Sequence, residues 1–235
     1  MNLNNFSRKF VVYLIHTLTA SGVIAGFLAL LSVMSENLVG AFLWLGLAFF
    51  IDGIDGPLAR KFHAEEVTPH INGKVLDHIV DYFNYVIIPS FMIHQLGFVP
   101  KGTELLMSIF ILLVSSFTFA NRNSKTQDNY FEGFPAVWNV VLFYFYILET
   151  PQNFNLIFLA ILCFLTFIPF KYVHPFRVEE GRSLTIIIIS VWILTSLFLL
   201  LFDKYNAFIF WLWLVSSSYF LYLSFKRSIS TLGKN

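Results

Sequence analysis

The chain has 235 residues, of which 57% are hydrophobic, 19% aromatic and only 12% charged, whereas ordinary soluble domains are about a quarter charged. A soluble core has no use for 29 phenylalanines, so the composition indicates an integral membrane protein. The formal net charge of +1 argues against a nucleic-acid partner, and a single cysteine, Cys163, excludes an internal disulfide.

Apolar runs of about 20 residues have the length of a helix that crosses a hydrocarbon core. The basic segment Asn2 to Phe10 precedes the first of them, either as a stretch lying along the interface or as a snorkelling basic flank, with no cleavage pattern for a signal peptide after it. Eight spans are predicted, Val11–Met34, Leu38–Ala59, Val75–Leu96, Thr103–Ala120, Pro135–Glu149, Phe154–Phe170, Leu184–Phe202 and Ala207–Phe225. The fifth and sixth are short, which leaves room for six or seven crossings. The expected fold is thus all-α, a polytopic transmembrane helix bundle forming a single domain over residues 1–235.

Of the 15 Lys and Arg residues, all but Lys101 and Lys204 fall on the side that also holds both termini. Positive residues in short loops are retained in the cytoplasm. Both termini are therefore expected there, in a multi-pass membrane protein.

The second span decides the function. Its apolar run from Leu38 to Ile51 is too short to cross alone, so the helix must continue through Asp52 and Asp55. At 3.6 residues per turn those two acids lie about 60° apart on one face, and Asp77 and Asp81 on the third span lie about 40° apart. A short loop lets the pairs face each other. Four carboxylates so placed cannot all stay ionised without a compensating cation. Oxygen ligands without thiolates or a histidine set favour Mg²⁺ or Mn²⁺, as one ion or two, over zinc, with calcium a weaker candidate. Gly53, Gly56 and Ala59 let a ligand approach the helix closely, Arg60 can grip a phosphate, and Pro57 suggests a local bend.

The order Asp52, Asp55, Gly56, Ala59, Arg60, Gly73, Asp77, Asp81 resembles the signature of the CDP-alcohol phosphotransferases, membrane enzymes that move a phosphatidyl or phosphoalcohol group from a CDP-activated donor to an alcohol. The segment between Arg60 and Gly73 is twelve residues here against eight in the usual pattern. Within the family the chain is most similar to the bacterial phosphatidylcholine synthases, on the loop "KFHAEEVTPHING", the continuation "LDHIVDYFNYVIIP", the later loop "SKTQDNYFEGFPAVWN" and "HPFR" at His174 to Arg177. The stretch from Phe131 to Pro135 is shared in pattern with the related phosphatidylserine synthases.

The resemblance implies that Asp52, Asp55 and Asp77 hold two divalent metals on the donor diphosphate. Asp81 would be the general base and a further metal contact, while Gly56, Ala59, Arg60 and Gly73 hold the CDP moiety. It implies CDP-diacylglycerol as donor, choline as acceptor, and phosphatidylcholine and CMP as products, with membrane lipids around the chain and a homodimer allowed for. A quaternary ammonium is held best by aromatic faces and a carboxylate. Tyr82, Tyr85, Asn84, Glu132 and Trp138 are the acceptor candidates, with Tyr130, Phe131 and Asn139 beside them. His16, His78 and His94 are expected to be satisfied interior or interfacial histidines. Lys125, Arg177 and Arg182 are candidates for phosphate or headgroup binding, although positive-inside topology alone accounts for them. Two other readings use the same residues: the same fold with serine, inositol or glycerol phosphate as acceptor, and a choline or cation transporter.

Overall fold

The computed structural model describes residues 5–121, 130–173 and 181–232. Arg122, Lys125 and the His174 to Arg177 stretch lie outside the described residues. The chain forms two compact units, Met1–Gly97 and Phe98–Asn235, each of which is described by itself.

In the first unit α1 (Asn5–Met34) turns through Glu36, at φ 56°, into α2 (Leu38–Lys61). Asn37 caps α2 by accepting from the Gly40 amide at 2.9 Å, which satisfies one of the donors a helix start leaves open. After a short α3 (Ala64–Val67), α4 (Gly73–Tyr82) is capped in the same way by Asn72, which accepts from Val75 at 3.2 Å. The helix then widens into a π-helical turn, Phe83–Ile87, and continues as α5 (Ile88–Gln95). Pro89 sits just past that turn. It has no N–H to return to the preceding turn, the usual reason for a helix to change its winding.

The buried stripe of α1, from Val12 and Ile15 through Thr19, Ala25 and Ala29 to Val33, packs against Ala41, Phe42, Leu45 and Ala48 of α2. Phe6, Phe10, Ile24, Phe27 and Leu31 are exposed, as suits a helix whose outer face meets lipid. Between helices in lipid, close approach of small residues replaces the hydrophobic drive. Gly22 and Gly26 provide it here: a Cβ on Gly22 would lie 2.6 Å from Val80, and one on Gly26 would collide with the side chains of Asn84 and Phe83.

The second unit holds α6 (Glu104–Ala120), α7 (Trp138–Leu148), α8 (Gln152–Leu165), α9 (Arg182–Leu201) and α10 (Ala207–Leu232). Between them lies an antiparallel ribbon, β1 (Tyr130–Glu132) with β2 (Lys171–Val173), paired Tyr130 to Val173 and Glu132 to Lys171. The all-α expectation did not include it. Gly133, at φ +82°, makes the turn out of β1, where a Cβ would strike the Thr166 carbonyl. Ser228 and Ser224 of α10 accept from the Lys171 and Val173 amides at 2.9 and 3.0 Å. The polar edge of α10 thus fastens the ribbon.

A polar and aromatic knot joins α7, α9 and α10. Tyr144 donates to Ser217 at 2.7 Å and receives the Trp192 indole N–H at 3.0 Å, while Trp213 donates to Ser196 at 3.0 Å. Hydrogen bonds of this kind hold helices together where packing is otherwise lipid-like.

Among the described residues four helical stretches are long and apolar enough to cross a membrane, Phe6–Met34, Leu38–Lys61, Arg182–Leu201 and Ala207–Ile229. The third predicted span is the helix that runs on from Gly73 to Gln95 across the π-helical turn. The predicted fifth and sixth spans shorten to helices of 11 and 14 residues, rising about 17 and 21 Å against roughly 30 Å of hydrocarbon. The structure is that of a polytopic helical membrane protein. At the N-terminus, Asn5 to Phe10 are the first residues of the continuous helix α1.

Candidate active site

The site is built where the end of α2 meets the start of α4. Helix α2 passes through Pro57 to Lys61, so Asp52 and Asp55 stand within it. Arg60 and Lys61 occupy its last turn, where the helix dipole favours cations. The loop to α4 is braced from α1. His16 lies 3.0 Å from the Thr68 hydroxyl, and the Tyr13 hydroxyl lies 3.0 Å from His70. His16 is thus the satisfied interior histidine expected. Lys74, in the first turn of α4, pairs with Glu65 of α3 at 2.9 Å, both side chains exposed.

Each of Asp52, Asp55 and Asp77 offers a carboxylate oxygen, and these oxygens lie within 4.8 Å of one another. Asp55 is 4% exposed and the other two are half-buried. At 4.8 Å a pair of ionised carboxylates repels by roughly 3 kcal/mol at an effective dielectric constant of about 20. Three such pairs make a fully ionised cluster costly without a cation. The donor set suits one: all its atoms are carboxylate oxygens, and oxygens on opposite sides of a Mg²⁺ ion stand about 4.2 Å apart, within a small side-chain rotation of the distances here. Asp81, one turn beyond Asp77, is half-buried. On the same continuous helix Asp81 lies between Asp77, a member of the cluster, and Tyr85, whose hydroxyl reaches Asp52. Gly56 and Ala59 are half-buried on α2, Arg60 is exposed at its end, and Gly73 opens α4.

The acceptor candidates divide between the two units. In the first, Tyr85 is buried and its hydroxyl donates to Oδ2 of Asp52 at 2.8 Å. Asn84 is buried and donates to the Gly22 carbonyl at 3.1 Å, and Tyr82 is half-buried. In the second, Glu132 is exposed on the ribbon, and Trp138 is fully buried with its indole donating to Ser115 at 2.8 Å. Arg227 stands 5.7 Å from the Tyr130 ring, a cation already on that aromatic face. Phe131 is half-buried and Asn139 buried. His78 and His94 are exposed and stand outside the acid cluster. Sequence reasoning missed the bond from Tyr85 to Asp52 and the ribbon; Pro89 was the one local sign of an altered helix there.

Residues 13–168 match the CDP-alcohol phosphatidyltransferase family. The chain belongs to this family. The match takes in every member of the acid cluster and ends before α9 and α10. As a CDP-alcohol phosphatidyltransferase the chain is similar to curated relatives over most of its length. It is 42% identical over 215 residues to the phosphatidylcholine synthase of Pseudomonas aeruginosa, covering 91% of this chain and 90% of that protein. It is 35% identical over 196 residues to the phosphatidylcholine synthase of Agrobacterium fabrum, with 82% and 81% covered. To that of Legionella pneumophila it is 37% identical over 185 residues, with 77% and 72% covered.

Proposed function

We propose that this chain is a phosphatidylcholine synthase, which transfers the phosphatidyl group of CDP-diacylglycerol to choline and releases CMP. The observation that carries the reading is the acid cluster of Asp52, Asp55 and Asp77, set in a family member whose relatives with that name align over most of the chain. Asp52, Asp55 and Asp77 would hold Mn²⁺ or Mg²⁺, and a bound divalent ion supplies positive charge against the donor diphosphate.

The remaining steps belong to the chain's own groups. Arg60, at the end of α2, grips phosphate oxygens, and the bare helix surface at Gly56, Ala59 and Gly73 admits the nucleotide. Asp81 accepts the choline hydroxyl proton as that oxygen attacks phosphorus. A new phosphorus–oxygen bond forms to choline, the bond to the CMP phosphate breaks, and the proton rests on Asp81. Choline's quaternary ammonium has no N–H and calls for aromatic faces and acids. In the first unit, which holds the acid cluster, Tyr82 is the acceptor candidate carried forward, since Asn84 donates to Gly22; in the second, Trp138 is engaged with Ser115 and Glu132 remains a candidate taken by itself.

The finer topology belongs to the same proposal. An even number of crossings with both termini in the cytoplasm agrees with the positive residues, and it brings the acids to the cytoplasmic face of a bacterial inner membrane. A single domain is supported by the family match, which runs across the boundary between the two compact units.

Purified protein given CDP-diacylglycerol, Mn²⁺ and labelled choline is expected to release CMP and form labelled lipid in equal amounts. Serine, inositol and glycerol phosphate should fail to compete. Turnover with one of them in preference to choline would overturn the acceptor assignment.

A further inference from the structure

The buried Tyr85 meets the acid cluster through its hydroxyl, which donates to Oδ2 of Asp52 at 2.8 Å. Its ring is 6% exposed and stands edge-on to Phe49, with centroids 6.4 Å apart. An aromatic that receives a quaternary ammonium must present an open face. This one is enclosed, and its polar end is committed to an aspartate.

The backbone accounts for the placement. In an ideal α-helix the row Asp77, Asp81, Tyr85 drifts by about 40° at each step of four residues. The turn Phe83–Ile87 closes in the wider π pattern, which winds more slowly and takes back part of that drift. Single π turns inside helices cluster at functional sites. The widened turn keeps the tyrosine on the side of the acids.

We infer that Tyr85 is a positioning residue for the divalent-cation site, and that its hydrogen bond holds the Asp52 carboxylate in the orientation that ligates. This rests on the reading of Asp52, Asp55 and Asp77 given under Proposed function. The phenol donates to one oxygen of Asp52, and the same carboxylate supplies an oxygen to the acid cluster. A neutral donor is the right kind of partner here. A lysine or arginine in its place would compete with the cation for the same negative charge, whereas a phenol orients the carboxylate and leaves the net charge of the cluster unchanged. Partners that orient ligands in this way typically govern metal affinity by about 10- to 100-fold.

The test is Mn²⁺ binding to the purified full-length protein in detergent, by calorimetry, for the parent, Tyr85→Phe, Asp52→Asn and the double variant. Phenylalanine keeps the ring and its packing on Phe49, and melting in chelator shows whether the metal-free fold is intact. Tyr85→Phe is expected to weaken Mn²⁺ binding by about 10- to 100-fold and to add nothing in the Asp52→Asn background, because it acts through that carboxylate. At saturating Mn²⁺ the KM for choline should be unchanged. Unaltered Mn²⁺ affinity in Tyr85→Phe would overturn the inference, as would losses that simply add in the double variant. A raised choline KM with metal affinity intact would make Tyr85 an acceptor contact instead. Absence of Mn²⁺ binding by the parent would bring down the cation-site reading itself and this inference with it; parental binding that ignores the tyrosine brings down the inference alone.

Discussion

His16 on α1 holds the Thr68 hydroxyl at 3.0 Å, and the same hydroxyl donates to the Ala64 carbonyl at 3.1 Å. A hydroxyl has one proton, so with that proton on Ala64 the histidine must donate from Nε2. The pair ties α1 to the loop that ends at Gly73, and both residues are buried. Thr68→Val leaves the imidazole N–H without its acceptor, at about 1–3 kcal/mol. The melting temperature should fall by several degrees and the KM for CDP-diacylglycerol should rise, since the loop leads directly into α4. An unchanged melting temperature would show that the bond contributes nothing.

Metal removal should silence the enzyme reversibly. Under the proposed reading EDTA abolishes CMP release, and Mn²⁺ or Mg²⁺ restores it while Zn²⁺ does not, because the donor set is all carboxylate. Asp55→Asn, at the most buried of the three acids, should raise the Mn²⁺ concentration needed for half-maximal activity at least tenfold.

Asp81→Asn should behave differently. If Asp81 is the base and the other three acids hold the ion, its amide cannot take the choline proton, and turnover should fall by about 10²- to 10⁴-fold. Binding of CDP-diacylglycerol should be largely retained. Rates close to the parent's would remove the assignment.

How far the site was legible in the sequence follows from which effects are local. Asp52, Asp55 and Asp77 stood out because a carboxylate in an apolar run is costly and demands a reason. Their helical spacing was enough to predict that two neighbouring helices would gather them. The bond from Tyr85 to Asp52 joins residues 33 apart, and no local pattern announces it. The π-helical turn that serves it has only Pro89 as a sign. The ribbon escaped because strands of three residues carry too little alternation to register, and its hold on Ser224 and Ser228 is tertiary. Asn84 was foreseen as an acceptor contact, and its bond to the Gly22 carbonyl of α1 is tertiary as well.

Two glycines should respond to alanine in opposite ways. At Gly73 the nearest atom to a new Cβ is His16 Cε1 at 3.4 Å, an ordinary contact. Alanine in a helix is favoured over glycine by about 0.5–1 kcal/mol. Gly73→Ala should therefore fold at least as well as the parent, and any loss of activity should appear as weaker donor binding. At Gly26 the new methyl would collide with Asn84 and Phe83, and overpacking of this kind costs about 1–3 kcal/mol. Gly26→Ala should melt several degrees lower. Equal melting temperatures for the two variants would contradict this account of the packing of α1.

Acid should loosen one surface contact between the turns of the second unit. Glu149 receives the Lys204 ammonium at 2.8 Å and the Tyr205 hydroxyl at 2.9 Å. These hydrogen bonds, that from Lys204 first, hold its carboxyl below the ordinary value of 4.5. A carboxylate depressed in the folded state binds fewer protons there than in the unfolded chain. Its contribution to stability is complete above pH 4.5 and is lost as pH falls through the lowered folded value. The parent should therefore melt slightly above Glu149→Gln at neutral pH, by a small margin because the pair is solvent-exposed and screened by salt. The difference should shrink as the pH is lowered below 4.5. Melting curves of both proteins between neutral and acid pH check this, and a difference that grows on acidification would show that the ion pair is not what separates them.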